Sequence, residues 1–132
     1  MIWCYQSIWK GRHALHIHEG NSDNCTESGG HFNPTNEEHP RHLGDLGNIV
    51  ARRTRNGSTQ TKFRIKAPRR TSLIGRHSIY NQTLVIHARE DDLSPNPSPG
   101  PKVICGQILP TPLIDGIPLP IIPANSKYVP IS

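Results

Sequence analysis

The sequence is poor in aromatic residues and contains no long hydrophobic run. Aromatic residues make up 5% of the 132 residues and hydrophobic residues 33%, which is little for a large core. No stretch approaches the roughly 18 apolar residues of a membrane-spanning helix, so no membrane partner is expected. The opening residues 1–11 lack the basic start and apolar centre of a signal peptide. With 11 glycines and 13 prolines, short strands joined by turns are favoured over long helices.

Acidic residues are absent between Leu46 and Arg89, in a chain whose formal net charge is +5. A basic field attracts small anions and can also hold polyanions such as heparin; an exposed basic face with no partner is the other interpretation. Phe63 is the only aromatic residue from 52 to 76, so nucleic acid, which needs stacking platforms, is not an expected partner. The basic residues of this stretch are Arg52, Arg53, Arg55, Lys62, Arg64, Lys66, Arg69, Arg70, Arg76 and Arg89.

The chain has three cysteines and no CxxC motif, which disfavours a thiolate zinc knuckle. A bridge between Cys25 and Cys105 would close a loop of about 80 residues, for which the chain-entropy model gives roughly 4–5 kcal/mol. Cys4 would then be left over. Asn-x-Ser/Thr sequons at Asn24, Asn56 and Asn81 are compatible with secretion.

Alternating and β-branched patterns predict five strands, with an Asn56-Gly57 turn between the second and third. Residues 20–48 show no periodicity, which is unusual in a compact domain unless something ties such a loop down. Six prolines in residues 109–132 argue against ladder pairing there, so an extended tail is expected. The predicted strands cover residues 12–19, 48–53, 60–66, 82–88 and 102–108.

The segment HALHIHEG, residues 13–20, places three histidines within six residues. On a strand His13 faces the core with Leu15 and Ile17, while His16 and His18 share the opposite face. Their Cα atoms would lie about 7 Å apart, which suits two ligands on one ion.

The long loop adds His31, His39, His42 and Asp45, of which the last three have the spacing H-x2-H-x2-D. Nitrogen and oxygen ligands in this arrangement suit zinc, and a bound ion would tie the loop down. The alternative is a set of unconnected surface histidines.

Five blocks resemble, in order, the signatures of copper/zinc superoxide dismutase: HALHIHEG, NCTESGGHFNP, HPRHLGDLGNIVA, TLVIHAREDDL and VICGQI. The resemblance covers residues 11–108 and leaves a divergent lead, 1–10, and the Pro-rich tail, 109–132. It implies an all-β Greek-key barrel or sandwich and the dismutation of superoxide anion to dioxygen and hydrogen peroxide.

The resemblance also implies a site for copper and zinc bridged by His31, which would carry a proton during turnover. Asp91 matches the carboxylate that links ligand histidines of the two metals, and Cys25 and Cys105 match the family's disulfide. His13 resembles a structural histidine that binds the backbone. The implied copper ligands are His16, His18, His31 and His87, and the implied zinc ligands are His31, His39, His42 and Asp45.

Four departures from the family pattern affect these expectations. Three strands that normally precede the H-x-H strand are absent, which leaves an open edge. Either the lead and tail cover it, or the chain is a truncated or alternatively spliced product or an imperfect gene model. The residues that would cover it are Trp3, Trp9, Ile117, Leu119, Ile121 and Ile122. Lys102 replaces the arginine that docks the anion, so slower turnover is expected. The His39–His42 spacing is short for zinc geometry, and the clipped segment 19–25 argues against the usual dimer.

Two further interpretations remain open. A copper chaperone of the same family is disfavoured because His87 is retained and no C-terminal C-x-C occurs. An inactive family member that binds metal or a polyanion is the alternative from another functional class. For location, the sequons and cysteines favour an extracellular over a cytoplasmic protein.

Overall fold

The structure is a computed structural model that describes residues 2–4, 8–55, 57, 59–63, 71–110, 113–114, 117–118 and 128–131. Within these residues it is all-β, apart from one short 3₁₀ helix at Cys25–Glu27. None of the described helices is long and apolar enough to cross a membrane. The strands are β1 Ile2–Cys4, β2 Gly11–His18, β3 Asp45–Arg53, β4 Thr59–Phe63, β5 Thr83–His87, β6 Lys102–Pro110, β7 Leu113–Ile114, β8 Ile117–Pro118 and β9 Tyr128–Ile131.

Seven strands form one sheet in the order β1-β4-β3-β2-β5-β6-β9. The pairs among β3, β2, β5 and β6 are all antiparallel. At the two ends of this order, β1 and β9 lie next to each other, so the sheet curves round as a partial barrel. The predicted all-β fold is therefore confirmed.

Strand β2 lies in the middle of the sheet, and its register positions the histidines. His16 lies opposite Asp45 on β3 and opposite Val85 on β5. His87, at the end of β5, lies opposite Lys102 on β6. The four-strand centre thus brings together residues from three widely separated parts of the sequence.

Both faces of β2 are buried, whereas the sequence predicted one apolar face toward the core. Residues 13–18 are all buried. Leu15 and Ile17 pack in the hydrophobic core with Phe32, Leu43 and other residues, and burying each such aliphatic side chain contributes about 1.5–3 kcal/mol. The face with His16 is covered by the loop that carries His31, whose ring centroid lies 4.0 Å from that of His16.

His13 is buried and faces backbone rather than the other histidines. Its Nδ1 lies 2.9 Å from the carbonyl oxygen of His87, and its Nε2 lies 3.0 Å from that of Trp9. This agrees with the structural role that the resemblance implied, because the contact with His87 joins the start of β2 to the end of β5.

The loop between β2 and β3 is tied to β2 by backbone hydrogen bonds. The amide of Phe32 donates to the carbonyl of Ile17 at 2.8 Å, and the amide of Ile17 donates to the carbonyl of Gly44 at 2.8 Å. A Cβ on Gly44 would lie 2.3 Å from the Ile17 oxygen, so only glycine allows this close approach.

The expectation that residues 109–132 make no ladder is wrong for the described part of that segment. Strand β6 extends to Pro110, β7 pairs with β8, and β9 pairs parallel with β6. The prolines are tolerated because Pro110 and Pro118 end their strands, and Pro130 lies on an edge strand, where a missing N–H costs little. The predicted boundaries of the lead, domain and tail stay predictions.

The lead and the tail supply the edge strands β1 and β9. Of the tail residues proposed to cover the core, Ile117 lies on β8. The other three, Leu119, Ile121 and Ile122, lie outside the described residues. Strands β3 and β4 form the predicted hairpin, with Arg53 opposite Thr59. Asn56 of its predicted turn and residues 64–66 of its predicted second strand also lie outside the described residues.

Candidate metal centre

Three histidines from β2 and β5 converge on one side of the sheet. His16 and His18 have ring centroids 6.2 Å apart, and His87 lies 5.0 Å from His16 and 5.5 Å from His18. All three are buried. The H-x-H spacing on β2 and the pairing with β5 are sufficient to form this group.

Backbone carbonyls fix the orientation of two of these rings. Nδ1 of His18 donates to the carbonyl of Gly29 at 2.8 Å, and Nδ1 of His87 donates to the carbonyl of Gly100 at 3.0 Å. In a neutral ring the other nitrogen, Nε2, then carries a lone pair. The two Nε2 atoms face each other at 3.4 Å, so two lone pairs point at the same place.

Burial keeps these rings neutral. It lowers the pKa of His16 from 6.5 to about 4 and that of His18 to about 3. Burial is also the largest cause of the lowered pKa of His87. Neutral imidazoles are the form that binds metal ions.

His31 lies between this group and a second one. Its ring centroid lies 4.9 Å from that of His18 on one side and 5.4 Å from that of His42 on the other. Its Nδ1 lies 2.8 Å from Oδ1 of Asp45 and 3.3 Å from Nδ1 of His42. Nδ1 of His31 therefore contacts the second group, and the opposite edge of the ring faces the first group.

The second group is built on the turn that leads into β3. The amide of His42 donates to Oδ2 of Asp45 at 2.9 Å, and the amide of Asp45 donates to the carbonyl of His42 at 3.1 Å. Nδ1 of His39 lies 3.2 Å from Oδ2 of Asp45. The short His39–His42 spacing, which raised a question about zinc geometry, thus still lets the side chains converge.

The carboxyl of Asp45 is held in its charged form. Burial alone would raise its pKa, but the hydrogen bond with His31 and the nearby His39 and His42 rings outweigh this and lower the pKa below 3.8. A carboxylate among imidazoles supplies the mixed oxygen and nitrogen ligands that zinc binds.

Asp91 joins the two groups from behind. Its Oδ2 lies 2.8 Å from Nε2 of His16, and its Oδ1 lies 3.0 Å from Nε2 of His39. Asn48 holds Asp91 in place by two bonds with its backbone, at 2.7 and 2.8 Å. Burial alone would raise the Asp91 pKa, but hydrogen bonds from His16, the Leu93 amide and His39 keep it below 3.8.

The unpartnered nitrogen atoms show that this site fits metal ions. Nδ1 of His16 and Nδ1 of His39 are buried and make no hydrogen bond, although Nε2 of each ring bonds Asp91. Nδ1 of His39 lies 3.2 Å from Oδ2 of Asp45, another atom of the second group. Buried acceptors without a partner are costly unless a cation occupies the space between them. Tetrahedral nitrogen ligands at about 2.0–2.1 Å from an ion lie about 3.3–3.4 Å from one another, close to the observed separations.

Two sets of side chains in the described residues therefore have the geometry of metal sites, and they share His31. Within each set one ligand atom per residue lies within 4.8 Å of all the others. The sets are His16, His18, His31 and His87, and His31, His39, His42 and Asp45.

A lysine and a disulfide border the first set. Nζ of Lys102 donates to Oγ of Ser28 and to the carbonyl of Gly29, both at 2.8 Å. Cys25 and Cys105 form a disulfide with a Cα–Cα distance of 5.3 Å. The positive charge is thus held beside the rings by the same turn that the disulfide attaches to β6.

Comparison with known proteins identifies this architecture. The family model described as copper/zinc superoxide dismutase matches residues 3–108. The chain belongs to the copper/zinc superoxide dismutase family. A solved structure, titled as a crystal structure analysis of the clock protein EA4, is 30% identical with a TM-score of 0.62 and covers 74% of this chain and 69% of its own.

Within this superoxide dismutase family member, every candidate ligand named from the sequence lies in one of the two sets. Four supporting groups could not be given a role from the sequence. The carbonyls of Gly29 and Gly100 have no side-chain signal, and Ser28 and Asn48 lie within matching blocks that by themselves assign them no role. Only the three-dimensional structure shows that the two carbonyls orient ligand rings. It also shows that Asn48 holds Asp91 and that Ser28 binds Lys102.

Proposed function

We propose that the chain binds one copper ion and one zinc ion and catalyses the dismutation of superoxide. Copper would be held by His16, His18, His31 and His87, and zinc by His31, His39, His42 and Asp45. The observation that carries this proposal is the sharing of His31 by two sets whose ligand atoms each lie within 4.8 Å of one another.

Four imidazoles suit both oxidation states of copper, whereas the mixed set with Asp45 suits zinc. Bound copper would supply one-electron exchange with superoxide, and zinc, which has no redox chemistry, would order the loop. The net reaction converts two superoxide anions and two protons into one dioxygen and one hydrogen peroxide.

His31 is the proposed proton carrier. Its Nδ1 bonds Asp45, so its Nε2 is the nitrogen available on the side of the first set. A proton taken up at Nε2 in one half of the cycle would be donated to the peroxide product in the other half.

Lys102 is the proposed anion guide. Its ammonium donates a hydrogen bond to the Gly29 carbonyl, which also accepts one from Nδ1 of His18. The positive charge therefore lies next to the first set. It would attract superoxide and hold it near the rings. A lysine lacks the planar fork of arginine, and turnover below that of arginine-containing relatives is expected.

The test is superoxide consumption by protein loaded with copper and zinc. We expect activity in the wild type, loss of activity in His87→Ala, and retained activity in His77→Ala, whose histidine belongs to neither set. A folded, copper-loaded wild type that consumes no superoxide would exclude the proposal.

Three other expectations stay predictions. They are an extracellular location, a chain that does not form the usual dimer, and binding of a heparin-like polyanion to the basic stretch. The alternative of an inactive metal-binding or polyanion-binding family member is not favoured by the family match or by the two ligand sets.

A further inference from the structure

The side chain of Ser28 is completely buried and links two segments of the protein. It follows the 3₁₀ helix that contains Cys25, and its hydroxyl donates to the carbonyl of Cys25 at 2.9 Å. Because that bond uses the hydroxyl proton, the oxygen is left as an acceptor. Nζ of Lys102 donates to this oxygen at 2.8 Å.

The ammonium of Lys102 has three donors, and two of them are used within the described residues. One binds Ser28 Oγ and the other binds the Gly29 carbonyl. The third N–H is available to an anion. A lysine side chain has a flexible four-carbon stem, so these two anchors determine where the third N–H points.

The two anchors differ in their surroundings. The Gly29 carbonyl also accepts Nδ1 of His18, so it is shared between the ring and the ammonium. The Ser28 oxygen is a side-chain acceptor, and its orientation is fixed by the hydrogen bond that the hydroxyl donates to the Cys25 carbonyl. Without the hydroxyl, Lys102 would keep only the shared carbonyl and would sample other rotamers.

We propose that Ser28 is a positioning residue that holds the Lys102 ammonium toward the copper-side histidines, so that the lysine can dock a small anion. This inference rests on the proposed function, because it assigns a partner to the anion guide. The disulfide supports the same arrangement. Cys25 and Cys105 join the turn of Ser28 to the strand of Lys102, so the serine and lysine meet across two attached segments.

The test uses azide as a small anion and copper-loaded protein as the receptor, with affinity read from the copper absorption spectrum. Ser28→Ala is expected to weaken azide binding roughly two- to tenfold, the net contribution of one ordinary hydrogen bond, because the serine acts on azide only through Lys102. Ser22→Ala is the matched control, since its hydroxyl lies in the same loop but bonds Glu27. It should leave azide affinity within about twofold of wild type.

A double-mutant cycle separates positioning from a general effect on the turn. In a Lys102→Met background, Ser28→Ala should cause no further loss of azide affinity. An equal loss in both backgrounds would overturn the proposal, as would unchanged azide affinity in Ser28→Ala. Ser28→Gly, which also removes the hydroxyl, must agree with Ser28→Ala.

A second measurement needs neither copper nor a variant. In metal-free wild type with its disulfide intact, an ordered Lys102 should give two separate NMR resonances for its ε-methylene protons. A single averaged resonance would overturn the proposal even if the variants fail to fold. If Ser28→Ala weakens azide binding as expected but the wild type does not consume superoxide, only the proposed function is rejected.

Discussion

The Nε2 atom of His16 lies 2.8 Å from Oδ2 of Asp91, and both side chains are fully shielded from solvent. The other carboxylate oxygen of Asp91 binds Nε2 of His39. One carboxylate therefore orients one ring in each ligand set and leaves Nδ1 of both rings without a hydrogen-bond partner. Asp91 thus couples the two ligand sets through hydrogen bonds to one histidine of each, and His31 couples them as a member of both.

Asp91→Asn should weaken the binding of both metals by about 10- to 100-fold. An amide of similar shape cannot accept from both rings with two oxygens, so the rings lose their fixed tautomer. Competition with a chelator measures this for each metal. Asp92→Asn is the control, because Asp92 is exposed and its carboxylate binds Ser94 rather than a ligand histidine. Loss of one metal alone in Asp91→Asn would contradict the coupling.

The metal-free protein should lose stability as the pH falls from about 6.5 to 4. The unfolded chain protonates its histidines near pH 6.5, whereas burial lowers the pKa of His16 to about 4 and of His18 to about 3. The unfolded state thus binds more protons in this window, and the free energy of unfolding rises with pH. Below pH 4, protonation of Asp45 and Asp91, whose pKa values are also lowered, removes further stability.

Urea unfolding of the metal-free protein at several pH values measures this dependence. His18→Gln should show a shallower slope between pH 6.5 and 4, since one depressed pKa is removed. A urea midpoint that does not change between pH 7 and 5 would show that the buried rings are not neutral as described.

Gly44→Ala should destabilise the protein by about 2–4 kcal/mol and reduce zinc retention. The new Cβ would meet backbone, 2.3 Å from the Ile17 oxygen and 2.9 Å from the Phe32 nitrogen, so the loop would have to move away from β2. Gly30→Ala is the control, because its nearest atom is a Glu19 carboxylate oxygen at 3.8 Å. Equal thermal stability of the two variants would count against this packing.

The ligand residues could be found from the sequence because their spacing matches the strand period and the family motifs. The alternation around His16 and His18 fixes which side chains share a face, and this depends only on local geometry. Strand β9 could not be found, because parallel pairing of a Pro-containing segment with β6 depends on where the sheet ends. The bond between Ser28 and Lys102 likewise depends on a tertiary approach that no local pattern specifies.

The basic stretch should bind heparin in a salt-sensitive manner. Arg52 and Arg53 are exposed at the end of β3, so their charges are accessible to a polyanion. The double variant Arg52→Ser/Arg53→Ser should elute from heparin at lower salt than Arg12→Ser/Arg41→Ser, which loses the same charge from exposed positions outside the stretch. Identical elution of both variants, or elution of the wild type at low salt, would argue for an unpartnered basic face.

The shared position of His31 is tested most directly by metal analysis of three single variants after loading with copper and zinc. His18→Ala should lose copper and keep zinc, and His42→Ala should lose zinc and keep copper, because each belongs to one set. His31→Ala should lose affinity for both metals. A His31→Ala protein that stays folded and retains either metal at wild-type affinity would contradict the two-metal centre.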